Sequence, residues 1–442
     1  MEDLIKFYEE SYPMGTIPPE LNVSYTSDVT FDIDRIRDMI TQLSLDTGPG
    51  FPYCYFYNSK RDVVTKEPDN LISCVLGRLK LYHQVDYLDL MSLNPTPIEL
   101  VLWGLHDFVR VFVKNEPTKT TKIGIRERII NSVSLIQLLT EMYLFHSVDL
   151  PKKTRWYEGP GCVGIGFTDP MASLFASKIL EEIPTSYDPF NSTLVTTDVK
   201  SMDYSQSEQV INLSVFQKIA TNRAQGTAFA NMSFINSLVL ARPSYVLSNG
   251  EIFSQLLPGG RRSGEYDTSF GNTTSRSSLI FLAARKFGKV SIYSNSDPKI
   301  LNSSGNMSKH VILQPLQRAQ GDDAINQQFC SNEDLSSFFA EFGMVLTGFE
   351  LGSPDDFLFC SQRWVDGKCI PLNIIKQMYN LLSNKYYDED KLKQYIFEHH
   401  NDPQLSRQLD IFIKSWPLAP GSPRTEDYEE LIRSSFLSTP PI

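Results

Sequence analysis

Apolar positions along the chain change their spacing several times, and those changes mark out elements. The stretch 99–113, ELVLWGLHDFVRVFV, opens at helical spacing and closes in alternation, which predicts a helix passing into a strand. Helical spacing resumes from Ile130. STLVTTDV (192–199) has the β-branched content of a buried strand, and an amphipathic helix is expected over 206–224. RPSYVLSNGEIFSQ (242–255) reads as a hairpin turning at Asn249-Gly250. A long helix is expected from Thr268, with small residues on its first turns, then strand, tight turn and strand over 310–329. A helix over 333–346 and one short strand over 356–364 follow, and a tail rich in proline and acids starts at Pro417. This order is mixed α+β, without the regular βαβ alternation of a doubly wound sheet.

Composition adjusts that picture only slightly. A chain of 442 residues exceeds one ordinary core, so two or three lobes are expected. With 41% hydrophobic and 21% charged residues it is globular. No run approaches the roughly 20 apolar residues that span a bilayer, so no transmembrane segment is expected. The opening MEDLIKFYEESYP lacks the apolar core of a signal peptide. Six cysteines without a CxxC spacing read as reduced thiols of a cytosolic protein. The six histidines include the pair His399-His400 but form no zinc pattern. A net charge of −11 argues against a nucleic-acid binder only weakly, because a channel needs just a locally positive groove.

Three constellations carry candidate chemistry. Asp198 ends an apolar strand, where a charge is costly unless paired or bound to a cation. Asp322-Asp323 follows Gly321 at a hairpin turn, where adjacent anions repel unless they share a cation. Two acidic sites on neighbouring strand ends suit hard divalent ions, although a lone Gly-Asp-Asp is more often a solvated turn. In SGEYDTSFGN (263–272), Gly264, Thr268 and Asn272 recur every four residues, which sets Thr268 and Asn272 on one helix face behind the Ser263-Gly264 turn. The ordinary reading is a capped helix start. A buried Asn272 needs a partner, and Asp203 would suit. Lys114, Lys119, Lys122, Arg126 and Arg128 form a basic loop able to hold a triphosphate. Solvated basic loops of this kind are nonetheless common.

Each motif is weak alone, but their order resembles the viral RNA-dependent RNA polymerases. DTGPGFPY (46–53) is similar to the template-entry motif G, and KNEP…R-x-R-I-I (114–130) to the nucleotide-entry motif F. DVKSMDYS (198–205), SG-x3-T-x3-N and Gly-Asp-Asp are similar to motifs A, B and C, and FCS (359–361) to the primer-grip motif E. KNEP with RERIINSVSLIQLL, the SG…SR run (263–276) and FCSQ together resemble the sobemovirus/polerovirus-like group. The resemblance runs from about Asp46 to Trp364.

That resemblance implies a right-hand fold of fingers, palm and thumb with an antiparallel palm sheet, closed by fingertips. Fingers would occupy 1–190 with an insert at 215–257, palm 191–214 and 258–365, and thumb with tail 366–442. It implies an enzyme, an RNA-directed RNA polymerase replicating a positive-strand RNA virus genome. Asp198, Asp322 and Asp323, with the Val199 carbonyl, would hold two Mg2+ ions, Mn2+ serving as a substitute. Asp203 and Asn272, supported by Thr268, would read the ribose 2′-hydroxyl. Lys114, Lys122, Arg126 and Arg128 would hold the triphosphate, with Glu116 orienting an arginine. Thr47, Gly48, Pro49, Gly50, Ser263, Gly264, Cys360 and Ser361 would face template and primer. Partners implied are single-stranded RNA template, nascent RNA, NTPs, a VPg protein primer and other viral replication proteins, in host cytoplasm or at membrane-associated complexes. One departure is that LTGFELGSPDDF (346–357) has no motif D lysine, leaving Lys368 or water as proton donor. The rival readings are a reverse transcriptase, a non-catalytic RNA-binding scaffold and a two-metal nuclease. Asp203 with Asn272 speaks against the first, and the three aspartates against the second.

Overall fold

The computed structural model describes residues 1–113, 129–183, 193–294, 310–372, 374–382 and 389–415. Its strands are β1 (Val109–Val113), β2 (Ile129–Ser132), β3 (Leu194–Val199), β4 (Ser244–Val246), β5 (Ile252–Ser254), β6 (Ser291–Ser294), β7 (His310–Leu313), β8 (Gln317–Gln320), β9 (Asp323–Gln327), β10 (Leu346–Gly352), β11 (Asp356–Phe359), β12 (Gln362–Val365) and β13 (Lys368–Pro371). They form sheets ordered β2-β1-β4-β5, β10-β3-β9-β8, β6-β7 and β11-β12-β13.

The sheet β10-β3-β9-β8 is antiparallel throughout and central to the packing. Side chains along a strand alternate faces, and both faces of β3 and β9 are covered. Leu194 and Ile325 join Phe175, Phe357 and Trp364 in one apolar cluster. Val199 and Ala324 join Leu279, Phe281 and Phe339 in another on the opposite face. Double burial explains why β3 reads as a run of apolar and β-branched residues.

Three helices cover the second face. Thr268–Lys286 and Glu208–Thr221 lie together, and the N-terminal helix Glu2–Ser11 packs across them. Phe7 stacks on Phe281 with ring centroids 4.3 Å apart, and the Tyr8 and Ser278 hydroxyls are 2.7 Å apart. A third cluster is built by the helices Ile33–Thr41, Pro68–Gln84, Leu135–Thr154 and Ala228–Ala241. The helix Leu135–Thr154 is buried on nearly every side, as its mostly apolar first three turns require.

Three expectations change. The single strand over 356–364 is a hairpin, β11 and β12, turning at Cys360-Ser361. Both turn residues have positive φ, 55° and 57°, the two-residue type that usually carries Asn-Gly, so its signal is absent from the sequence. The helix over 333–346 stops at Ala340, and Gly343 at φ +78° turns the chain into β10. Helical structure begins at Leu135 rather than Ile130: β2 runs to Ser132, and Ser134 caps the helix by accepting the Ile136 N–H at 3.1 Å. Among the described residues, no helix is long and apolar enough to cross a membrane.

Candidate active site

The β3–β9 ladder brings the acidic motifs together. Thr197 lies opposite Ala324, and the same register sets Asp198 opposite Asp323. Asp323 pairs with Gln320 across the two-residue turn Gly321-Asp322, with Gly321 at φ +64° where glycine is favoured. The Val199 N–H donates to the Asp322 carbonyl at 3.3 Å, and the Gly321 N–H to Thr273 Oγ1 at 2.8 Å. Thus the turn is fastened to both β3 and the long helix. Asp322 is exposed, while Asp198 and Asp323 are half-buried.

Electrostatics reports the crowding of these anions. Burial, then the Asp322 and Asp198 charges, push the Asp323 carboxyl up to about 7, with Arg276 pulling the other way. Arg276 lies fully buried on the helix Thr268–Lys286, its guanidinium 4.5 Å over the Phe339 ring and donating to Thr197 Oγ1. Burial lowers its pKa to about 9 against the opposing pull of Asp198, Asp323 and Asp322. Its Nε and Nη1 have no hydrogen-bond partner. In the sequence Arg276 stood only as the last residue of the SG…SR run, with no role attached. Its signal was a lone cation in the small-residue run TTSRSS.

Among the described residues, no group of three or more His, Cys, Asp or Glu side chains converges as a preformed metal cage. A Mg2+ site does not require one, since this ion usually binds through one or two carboxylates and completes its shell with water and substrate phosphates. A carboxyl pushed up by burial and by its neighbours' charges, as Asp323 is, ionises more readily beside such an ion, so this site fits one.

Beyond β3, the short helix Met202–Ser205 carries Asp203 to the helix Thr268–Lys286. Asn272 Nδ2 donates to Asp203 Oδ1 at 2.7 Å, and Gln206 Nε2 donates to Asn272 Oδ1 at 2.5 Å. Thr268 Oγ1 donates to the carbonyls of Arg262 and Glu265 at 2.6 and 3.1 Å, closing the turn that contains Ser263 and Gly264. Ser263 is exposed, whereas a side chain at Gly264 would meet the Asn131 carbonyl at 2.5 Å. Gln206 was not expected, and only its closeness to Asp203 in sequence hinted at it.

The remaining candidates divide. Thr47 and Gly48 are exposed, and Pro49 and Gly50 are buried against the β2-to-helix junction. The Leu135 N–H donates to the Pro49 carbonyl at 2.9 Å, and a side chain at Gly50 would meet the Val133 carbonyl at 2.2 Å. Gly264 and Gly50 therefore pack against the same short segment. Cys360 Sγ donates to Gln320 Oε1 at 3.5 Å, which sets the Cys360-Ser361 turn beside the Gly-Asp-Asp hairpin. Burial, then Asp323, push the Cys360 thiol well up. Lys368 lies beyond the other end of β12, within electrostatic reach of Asp169, and is not brought to the carboxylates. Lys114, Glu116, Lys119, Lys122, Arg126 and Arg128 lie outside the described residues, between paired Val113 and Ile129.

No family model matches the chain. It is 28% identical over 361 residues to Protein P2-P3 of Poinsettia latent virus, covering 79% of this chain and 29% of that protein. To the RNA-directed RNA polymerase of Mushroom bacilliform virus it is 25% identical over 398 residues, covering 85% and 84%. To the Replicase polyprotein P2AB of Southern cowpea mosaic virus it is 26% identical over 282 residues, covering 62% and 27%. The chain thus spans under a third of two of these relatives and most of the other. The solved Sicinivirus 3Dpol RNA dependent RNA polymerase superposes with a TM-score of 0.64 at 13% identity, over 99% of this chain and 85% of that one, which shows the fold. With its antiparallel central sheet and these relatives, the chain resembles in sequence and fold the viral RNA-dependent RNA polymerases, within the sobemovirus/polerovirus-like group.

Proposed function

We propose that this chain is an RNA-dependent RNA polymerase that joins ribonucleoside triphosphates to an RNA 3′-hydroxyl, copying a positive-strand virus genome. The observation that carries this reading is a linkage. Asp198 faces Asp323 across the β3–β9 register, and five residues further on Asp203 is bonded to Asn272. Ion binding and sugar recognition would then be set by one short stretch of chain.

Asp198, Asp322 and Asp323, with the Val199 carbonyl, would hold two Mg2+ ions, or Mn2+ in their place. Bound there, such ions lower the pKa of a 3′-hydroxyl and steady the charge on a pyrophosphate leaving group. Asp203 would accept the ribose 2′-hydroxyl proton in a hydrogen bond, its other partner Asn272 holding it in place. Thr268 would keep the preceding turn closed, so that Ser263 and Gly264 border the template nucleotide. Thr47, Gly48, Pro49 and Gly50 would guide the template, and Cys360-Ser361 the primer end. Lys114, Lys122, Arg126 and Arg128 are proposed to hold the triphosphate. Fingers (1–190 and 215–257), palm (191–214 and 258–365) and thumb (366–442) remain the proposed division. A VPg primer, other viral replication proteins and a cytoplasmic or membrane-associated setting belong to the same proposal.

Primer extension on an RNA template, with Mg2+, Mn2+ or chelator, tests this reading. Template-length product with either ion and none with chelator is expected. Absence of product under every divalent ion would favour the non-catalytic scaffold instead.

A further inference from the structure

We propose that Gln206 is a positioning residue for ribose selection, locking the Asn272 amide in the one orientation that turns its N–H groups toward Asp203. The proposal rests on the polymerase reading above. A side-chain amide has two ends alike in shape and opposite in hydrogen bonding. Asp203, when ionised, only accepts, so Asn272 must face it with Nδ2, as it does at 2.7 Å. Its Oδ1 then points into protein, where a buried acceptor needs a donor. Gln206 Nε2 is that donor, at 2.5 Å.

Gln206 is itself an amide and could turn over. Arg261 prevents this: a guanidinium only donates, and its Nε reaches Gln206 Oε1 at 3.3 Å. Hydrogen bonds therefore run one way, from Arg261 through Gln206 and Asn272 to Asp203, with a pure donor at one end and a pure acceptor at the other. Arg261, Gln206 and Asn272 are 2%, 2% and 6% exposed, so water does not readily compete along the line.

Two further observations show that this line is built into the fold. Arg261 is seated by Asp267 Oδ2 at 3.2 Å and Ser214 Oγ at 2.6 Å. A side chain at Gly271, inside the helix beside Asn272, would stand 2.1 Å from the Arg261 Cζ, so only glycine leaves room for the guanidinium. The backbone is fastened as well. The Gly260 N–H donates to the Gln206 carbonyl at 2.7 Å, and the Arg261 N–H to the Asp203 carbonyl at 2.6 Å. Without the Gln206 donor the buried Asn272 Oδ1 lacks a partner and the amide is held less firmly. An acceptor at position 206 draws its N–H groups away and turns its carbonyl toward Asp203. That sets two acceptors face to face and disturbs the carboxylate that would bind the 2′-hydroxyl.

The test measures kcat/KM for a matched NTP and the corresponding dNTP on a primed RNA template. It compares wild type, Gln206→Met and Gln206→Glu, each checked for cooperative melting. Gln206→Met keeps length but donates nothing. The NTP-to-dNTP preference is expected to fall about tenfold, the effect of one hydrogen bond. Gln206→Glu fills the same space and pairs with Arg261 but offers Asn272 only an acceptor. The preference should fall at least as far while the melting temperature holds, which a merely structural role would not produce. If Gln206→Met does not fold, Gln206→Glu decides alone. A folded Gln206→Glu with the wild-type preference overturns the proposal and leaves the polymerase reading standing. A wild type that incorporates neither nucleotide, or both equally, overturns the reading itself and the proposal with it.

Discussion

Arg276 answers a question that the three aspartates raise: what tolerates them before any cation arrives. Its buried guanidinium sits against Phe339 and Thr197 within electrostatic reach of Asp198, Asp322 and Asp323. Removing that charge should make the pocket more attractive to a dication and the ion-free protein less stable. Arg276→Met is expected to tighten Mg2+ binding several-fold by calorimetric titration. It should also lower the ion-free melting temperature, reflecting a loss of about 1–3 kcal/mol as its hydrogen bond and ring contact go. Weaker Mg2+ binding in the variant would show that Arg276 assists the ion rather than standing in for it. The aspartates and Asn272 were legible in the sequence because each sits in a short motif. Arg276 and Gln206 were not, because their meaning lies in partners 79 and 66 residues away.

The start of the helix Thr268–Lys286 is the element on which the candidate site turns, and it rests on buried charge. Asp267 receives Lys218 Nζ at 2.8 Å and Arg261 at 3.2 Å, while Lys218 also holds Asp149. The Glu141 carboxylate group accepts the Tyr266 and Asp267 N–H groups at 2.9 and 3.4 Å, capping the helix from a neighbouring one. Burial opposes ionisation of Asp267, but Lys218 and Arg261 outweigh it and hold its pKa below the ordinary 3.8. A carboxyl lowered on folding stabilises the protein above its unfolded pKa, and that contribution is lost as pH falls through the folded value. Asp267→Asn should therefore cost on the order of 3–5 kcal/mol at pH 7, leaving buried cations underpaired. In denaturant melts the gap to wild type should narrow as pH drops below about 4; a gap that widens in acid contradicts the assignment. Gly271→Ala tests the same element by sign. An ordinary helix interior gains about 1 kcal/mol from this change. Here the melting temperature should fall, since the methyl group collides with Arg261. Helix and strand types were mostly legible from spacing. The β11–β12 hairpin was hidden because Cys360-Ser361 takes a turn geometry that neither residue advertises.

At the scale of the whole molecule, the acidic motifs converge because a sheet covered on both faces fixes their register. The N-terminal helix, which local spacing did not single out, packs across the helices that cover one of those faces. Phe7→Ala should destabilise the protein by about 3–5 kcal/mol, read by denaturant melting, since Phe7 is fully buried against Phe281. A loss under about 1 kcal/mol would mean the helix docks only loosely. No local pattern encodes strand pairing; the antiparallel palm sheet was expected only through the motif resemblance, and the strand order β10-β3-β9-β8 came with the structure. On the proposed function, Asp198 belongs to a metal-dependent centre for joining ribonucleotides. Single-nucleotide incorporation onto a primed RNA template, comparing wild type with Asp198→Asn and measuring RNA affinity alongside, tests it most directly. The expected result is a loss of about 10³-fold or more in rate with RNA affinity nearly unchanged. Incorporation by Asp198→Asn at close to the wild-type rate would contradict it.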